Sequence, residues 1–441
     1  MGAKTRRKEV AGRHFSCMLW CMIAPRIPAF FILGAISLAF ASGALAKPGL
    51  VKISMAKKAA PPAAAKSSAA KSLTAKSSPT PSPKPSVDWQ IIKVGARDYL
   101  SADNIAKFYG LLGNVDSTGK TVVLNNGRNQ LQLTLDSREA VVNGVRNWLC
   151  FPVIAKDDKF LVSRIDLAKT IEPQLRPQMI QPKGQVKTVV LDPGHGGSDK
   201  GARSPLGNEK QFALDVARRL RPLLQARGFK VILTRENDAF IPLHVRAHIA
   251  NQTRDSIFVS IHFNGASNRD ATGFEIFSLT PRGAPSTGDD ALALHFVNMQ
   301  AGSPVDAQSF GLSAAIYHSM LGHLAEVDRG IKRARFAVLR HTKIPAVLVE
   351  GGFLSETDNS KRVSDPAWRA KFAEALCVGI ENYRNVVEKE ERPMLVAEYR
   401  AKDVGGITLL DLARPPAQLE PSPAPGLVPA ATPASPSERE P

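Results

Sequence analysis

Three short apolar runs each stop at a residue able to bind a metal or move a proton. Val186–Leu191 leads into His195, Ser256–Ile261 runs straight into His262, and Pro345–Val349 ends on Glu350. Runs of this length and β-branched content predict strands buried on both faces, as in the centre of an α/β sheet. Ligands of such sheets gather beyond the carboxyl ends of the strands, where all three polar residues fall. A glutamate closing a wholly apolar strand costs on the order of several kcal/mol unless it is paired, protonated or facing a metal.

The first run opens into Asp192-Pro193-Gly194-His195-Gly196-Gly197-Ser198-Asp199-Lys200-Gly201-Ala202, followed by Asn208-Glu209-Lys210. Gly194, Gly196 and Gly197 let the backbone turn sharply and pass close to an ion or substrate. Phe212, Val216, Leu220 and Leu224 recur on one helical face until Gly228, so the Glu209 carboxylate falls on a helix's first turn. Alone, His195 and Glu209 also fit a capped turn and a carboxylate complementing a helix dipole. His195, Glu209 and His262 together make a three-ligand zinc set that keeps a fourth position for water, and Glu350 nearby completes a hydrolytic site.

Further blocks follow in order: Leu233-Thr234-Arg235, Leu243 with Arg246, Ala250-Asn251, Gly273-Phe274-Glu275-Ile276, Ala334 to Arg340, and Leu348 to Ser355. With the motifs above they resemble the zinc-dependent N-acetylmuramoyl-L-alanine amidases of the AmiA/AmiB/AmiC and CwlB type, the amidase 3 family, across residues 186–385. The resemblance implies that His195, Glu209 and His262 bind one Zn2+ and that Glu350 is the catalytic carboxylate. It implies hydrolysis of the amide between the lactyl group of N-acetylmuramic acid and L-alanine of the peptidoglycan stem peptide. Zinc lowers the pKa of water and polarises a carbonyl, while Glu350, raised by its apolar strand, moves the water's proton to the departing amine. Lys200 stands where the family usually has proline, and Glu356 where asparagine is common. A zinc exopeptidase on free peptides and a non-catalytic cell-wall-binding protein are the alternatives.

Asn264 and Arg246 are read as substrate contacts, each with an internal alternative: a turn for Asn264, pairing with acids such as Glu236 and Asp238 for Arg246 and Arg235. His244 and His248, and the H-x-x-E pair His323 and Glu326, are read as structural or surface residues. His14, His295, His318 and His341 read as solvated or helix-surface residues. Some family members are gated by an inserted helix and a protein activator. Between Arg282 and Arg335 this chain has room for ordinary helices around Asp290–Gln300 and Ser313–Glu326, so no long autoinhibitory helix is expected.

The predicted fold class is α/β, a mixed, mostly parallel sheet flanked by helices, preceded over residues 88–180 by a small β-rich unit. In that unit Leu131 to Leu135 alternates as a strand, Asn125-Asn126-Gly127 and Asn143-Gly144 signal hairpins, and Ser101 and Ser163 each cap a short helix in an internal echo. It resembles the stalk domain named for the amino terminus of copper amine oxidases; copper is not implied, because residues 88–180 hold no histidine. Residues 1–46 read as a signal peptide ending Ala44-Leu45-Ala46, with Met18 or Met22 as other starts; 47–87 as an Ala/Lys/Ser/Pro linker; and 390–441 as a Pro/Ala-rich tail. The leader and linker carry 13 of the +18 net charge, so the basic balance gives no reason to expect nucleic acid as a partner. Export to the periplasm or cell envelope is expected, with membrane contact only through an uncleaved signal segment. Cys150 and Cys377 are expected as two buried thiols.

Overall fold

The computed structural model describes residues 87–180, 184–289, 301–389 and 391–403. The expected signal peptide, almost all of the linker, the tail beyond 403 and the helix around Asp290–Gln300 lie outside the described residues. Among the described residues no helix is long and apolar enough to cross a membrane.

The first strands are β1 (Ile92–Val94), β2 (Arg97–Ser101), β3 (Leu112–Val115), β4 (Thr121–Asn125), β5 (Gln130–Thr134), β6 (Glu139–Val142), β7 (Val145–Trp148), β8 (Ile154–Lys156) and β9 (Lys159–Ser163). Asn143 and Gly144 form the two-residue β6–β7 turn with φ of 52° and 82°, a conformation that asparagine and glycine tolerate best. Leu131 and Leu133 alternate inward from β5 and are fully buried. The internal echo is physical: β2 and β9 pair antiparallel with Leu100 opposite Val162. Each then feeds a serine-capped helix, α1 (Ala102–Tyr109) from Ser101 and α2 (Arg164–Asp166) from Ser163. A π-helical turn, Leu167–Ile171, and α3 (Glu172–Leu175) follow.

The remaining strands are β10 (Thr188–Pro193), β11 (Arg203–Ser204), β12 (Gly207–Asn208), β13 (Lys230–Leu233), β14 (Ser256–Asn264), β15 (Phe274–Leu279), β16 (Asp328–Ala334) and β17 (Ala346–Phe353). The helices are α4 (Glu209–Ala226), α5 (Leu243–Asn251), α6 (Asp306–His323), α7 (Ala337–Arg340), α8 (Thr357–Ser364), α9 (Pro366–Lys389) and α10 (Val396–Asp403). β13, β10, β14 and β17 run parallel; β15 is antiparallel to β17 and parallel to β16. The fold is therefore the mixed, mostly parallel sheet that the apolar runs predict.

Alternate residues of each central strand serve opposite faces. Val189 and Leu191 enter the core built with α4, α6 and α9, whereas Val190 joins Phe258, Val338 and Leu348 on the other side. Burial on both faces explains why these strands read as continuous apolar runs. The sheet does not stop at β16: Ile331 pairs with Asn147 of β7, and β6, β5, β4 and β3 continue it to eleven strands.

Two sequence readings change. The helix expected at Ser313–Glu326 spans Asp306–His323. His318 is not at a surface; it is 2% exposed, and burial pushes its imidazole down to about 4, keeping it neutral. The reason is that α6 packs against β15, α9, α3 and α10 together, so it has no solvent face to announce itself in the residue pattern. Cys150 and Cys377 are free and buried.

Gly379 of α9 packs directly on the α6 backbone, where a Cβ would lie 2.5 Å from the Ile316 Cα. Alanine normally stabilises a helix by about 1 kcal/mol over glycine. Here the clash is with backbone, which overpacking costs of about 1–3 kcal/mol outweigh. Gly379→Ala should therefore lower the melting temperature, measured by circular dichroism.

Candidate metal centre

The strand ends and the loops that follow them bring His195, Glu209 and His262 together. After Pro193 the chain turns through His195, Gly196 and Gly197, with φ of 59°, 128° and 57°. A non-glycine residue in the left-handed region costs roughly 1–3 kcal/mol and persists only where its surroundings hold it. Two arginines do so. Arg246 donates to the His195 carbonyl at 2.6 Å and Arg235 to the Gly194 carbonyl at 2.7 Å. The glycines leave room for the ligands: a Cβ on Gly194 would sit 2.4 Å from the His262 ring, and one on Gly201 would sit 2.4 Å from Glu209 Oε2.

Glu209 is the first residue of α4 and is 4% exposed. Its Oε1 accepts the Phe263 amide at 3.1 Å and its Oε2 the Ala202 amide at 2.8 Å. The same oxygens meet His262 Nδ1 at 2.8 Å and His195 Nε2 at 3.0 Å. Ligand atoms of the three side chains all lie within 4.8 Å of one another, the one such group among the described residues. On the far side of its ring, His195 Nδ1 meets Asp199 Oδ2 at 2.8 Å, leaving Nε2 to face the centre. A carboxylate behind a ligating imidazole fixes its orientation and raises its basicity. Two imidazoles and a carboxylate match the donor set of a hydrolytic zinc site, so the residues fit such an ion.

Burial works against a charged His195, yet hydrogen bonds to Asp199 and Glu209 outweigh it and hold the ring up at about 9. Burial also opposes an ionised Glu209, and the two histidines overcome it, pulling the carboxyl well below the usual range.

Glu350 lies on β17 opposite His262 of β14 and, on its other flank, opposite Glu275 of β15. Paired residues in a sheet project to the same face, so Glu350 shares the face of His262. It is 9% exposed, and its Oε2 is buried without a hydrogen-bond partner among the described residues. Burial, with the neighbouring Glu209 and Glu275 charges, drives its pKa well above the usual glutamate value. Glu275 differs sharply. Arg329 Nε bonds to it at 2.8 Å, Lys332 Nζ reaches the same oxygen, and Asn264 Nδ2 donates to its Oε1 at 3.0 Å.

Arg246, read from sequence as a substrate contact, is 2% exposed and fully engaged internally. It bonds to Asp192 and the Pro193 carbonyl, each at 2.8 Å, and to the Ile241 and His195 carbonyls. Its place is beneath the centre, because the bent loop exposes carbonyls that only a buried multi-donor side chain satisfies. Arg235 is internal as expected, but its partners are carbonyls of Pro193, Gly194, Lys210 and Asn237; Asp238 instead binds Lys210 and Glu236 binds Arg221. Asn264 is half-buried, tied to Glu275 and to the Gly265 amide.

Lys200 is exposed on the loop, and Glu356 caps α8 by accepting the Asp358 and Asn359 amides, the work an asparagine would do there. His244 and His248 are exposed on α5. His323 bonds within α6 and Glu326 pairs with Arg362, so they form no site together. Sequence reading missed Asp199, whose only signal is a carboxylate four residues past His195 across a glycine turn, and the Glu275–Arg329–Lys332 cluster.

A family model described as N-acetylmuramoyl-L-alanine amidase matches residues 189–382. The chain is 32% identical over 242 residues to N-acetylmuramoyl-L-alanine amidase AmiC of Escherichia coli O6:H1, which covers 49% of this chain and 58% of AmiC. It is 30% identical over 244 residues to AmiA of Escherichia coli K12, covering 50% of this chain and 84% of AmiA. The chain thus spans little more than half the length of that AmiC relative. Among solved structures it is similar to AmiC2 of Nostoc punctiforme, at 31% identity over 45% of this chain and 98% of that one, with a TM-score of 0.38.

Two outcomes follow from the geometry. Gly194→Ala should push the His262 ring aside and weaken metal retention about 10- to 100-fold, read by titration against a competing chelator. In the metal-free protein, His195 holds its proton up to about 9, so its contribution to folding is complete below 6.5 and fades as pH rises through 9. Melts of chelated protein should fall across that window, and the slope should shrink in His195→Ala.

Proposed function

The chain belongs to the N-acetylmuramoyl-L-alanine amidase family, and we propose that it is an exported, zinc-dependent peptidoglycan hydrolase. It cleaves the amide between the lactyl group of N-acetylmuramic acid and L-alanine of the stem peptide. The observation that carries the reading is the convergence of His195, Glu209 and His262 beside the unpartnered Oε2 of Glu350. His195 through Nε2, His262 through Nδ1 and the Glu209 carboxylate would hold the zinc ion. When bound, zinc supplies Lewis-acid chemistry, acidifying water and polarising a carbonyl.

The chain's own residues supply the rest. Asp199 keeps the His195 ring oriented, and the Ala202 and Phe263 amides keep the Glu209 carboxylate in place before any ligand arrives. Glu350 is the only one of the four carboxylates around the centre with a buried oxygen free of partners: Asp199, Glu209 and Glu275 are all engaged. A buried carboxyl with a raised pKa is suited to take a proton from attacking water and hand it to the leaving nitrogen near neutral pH. Glu275, with both oxygens taken up by Asn264, Arg329 and Lys332, has no free position from which to substitute for it.

Export rests on the leader-like first 46 residues, and the small amino-terminal unit serves as a wall-facing spacer in this reading. The test is digestion of purified peptidoglycan, with and without chelator, followed by mass spectrometry of the new ends. Stem peptides with free L-alanine amino termini should appear only without chelator. Glu350→Ala should cut turnover by about 100-fold or more while zinc content stays at the wild-type level. Full activity in that variant, or release of amino acids from free peptides alone, would overturn the assignment.

A further inference from the structure

β16 carries a bulge at the end of the sheet where the metal centre lies. Its register against β15 runs Phe274 with Asp328 and then Ile276 with Ile331, so β16 holds one residue more than its partner. Gly330, at φ 84°, makes the bend, and a Cβ there would press on the Arg146 carbonyl at 2.9 Å and the Trp148 ring at 3.2 Å. Residues three apart on a regular strand face opposite sides. The extra residue instead turns Arg329 and Lys332 onto one side, where both reach Oε2 of Glu275. Bulges beside functional sites re-aim side chains in this manner.

Two cations thus share a single carboxylate oxygen at this corner. Glu275 is buried and Lys332 half-buried, whereas the Arg329 side chain keeps 31% of its surface exposed. Its Nε serves Glu275, its Nη1 donates to the Thr272 carbonyl at 3.3 Å, and its plane covers the Phe353 ring at 4.7 Å. Nη2 bonds to none of the described residues. A planar guanidinium with an unused edge, stacked on an aromatic ring and braced from behind, matches a carboxylate. Glu275, which braces it, is the cross-strand neighbour of Glu350.

We propose that Arg329 binds a carboxylate on the peptide side of the scissile amide and so selects anionic stem peptides. The inference rests on the proposed function, because in that substrate the lactyl carboxylate is consumed by the amide and free carboxylates belong to the peptide. Trp148 of β7 is a positioning residue: its indole N–H donates to the Arg329 carbonyl at 3.0 Å, so the small amino-terminal unit holds the bulge that aims the arginine.

The experiment compares two muropeptides of the same glycan and peptide sequence, one with its peptide carboxylates free and one with them amidated. The full-length, zinc-loaded wild type should favour the free acid by about 10- to 100-fold in kcat/KM, mostly through KM. Arg329→Gln should bring the ratio of the two kcat/KM values close to one while the zinc content stays at the wild-type level. Arg329→Lys, which keeps a charge on Glu275 without the planar fork, should also lose most of the preference, and Trp148→Phe should lose part of it. Equal slowing of both substrates by Arg329→Gln would mean that the residue only braces Glu275, overturning the proposal. A wild type that cleaves both without preference overturns it too, leaving the proposed function intact; a wild type that cleaves neither overturns both.

Discussion

Asp192 and Arg246 form an ion pair at 2.8 Å with almost no contact with water, at 0% and 2% exposure. Taking two charges into the interior costs several kcal/mol each unless their remaining hydrogen-bonding positions are filled. Here they are. Thr234 and Ser260 donate to the Asp192 oxygens at 2.6 and 2.8 Å, and Arg246 gives its other donors to backbone carbonyls. The carboxyl is held below its usual range even though burial opposes it. The pair thereby ties β10, β14, the residue after β13 and helix α5 to one point. From that point Arg246 reaches the carbonyl of His195, the residue whose left-handed backbone needs external support. An apolar side chain of similar volume could fill the space, but it could not hold that carbonyl.

The centre above this pair is organised before any ion enters. Glu209 is anchored by two amides that belong to different segments, the glycine loop at Ala202 and strand β14 at Phe263. Its two oxygens then face one histidine each, so protons shared along those contacts occupy the space where a cation would act as the common partner. In the proposed reading, a divalent ion would find these three side chains already gathered, which is the condition for tight binding without a large ordering cost. Glu350 is left out of this network by its register. It stands beside His262 on the same face but with an oxygen unsatisfied, a state that a stability argument alone does not explain.

The parts of the fold legible in the sequence were those set by a single period or a single backbone demand. Both-face burial of the central strands, Glu209 at the start of its helix, the Asn143-Gly144 hairpin and the two serine caps all follow from local chemistry. What was hidden depends on contacts between distant segments. Nothing about Arg246 as a residue type tells a substrate carboxylate from the carbonyls of a bent loop 51 residues earlier. His318 reads as a surface residue because α6 lacks a polar face, and it lacks one because other elements pack against it on all sides. Arg329 and Lys332 look like opposite-face residues until the bulge at Gly330 is known, and a bulge is a property of the pairing with β15 rather than of β16 itself.

The continuation of the sheet through β7 has the same character and a structural logic of its own. Without a neighbour, β16 would be an edge strand with unpaired backbone groups, a feature that stable sheets cover or blunt. Backbone pairing across the junction is limited to Ile331 with Asn147, so side chains carry most of the connection. Arg333, 1% exposed and paired with Asp306, also reaches the Lys169 carbonyl, and Arg138 from the small unit donates to the Ser286 carbonyl at 3.2 Å. Trp148 closes the junction on the Arg329 carbonyl. Charged donors aimed at carbonyls are directional in a way that apolar packing is not. They fix how the two cores meet as well as their adhesion, and Trp148 carries that junction onto the backbone of the β16 bulge.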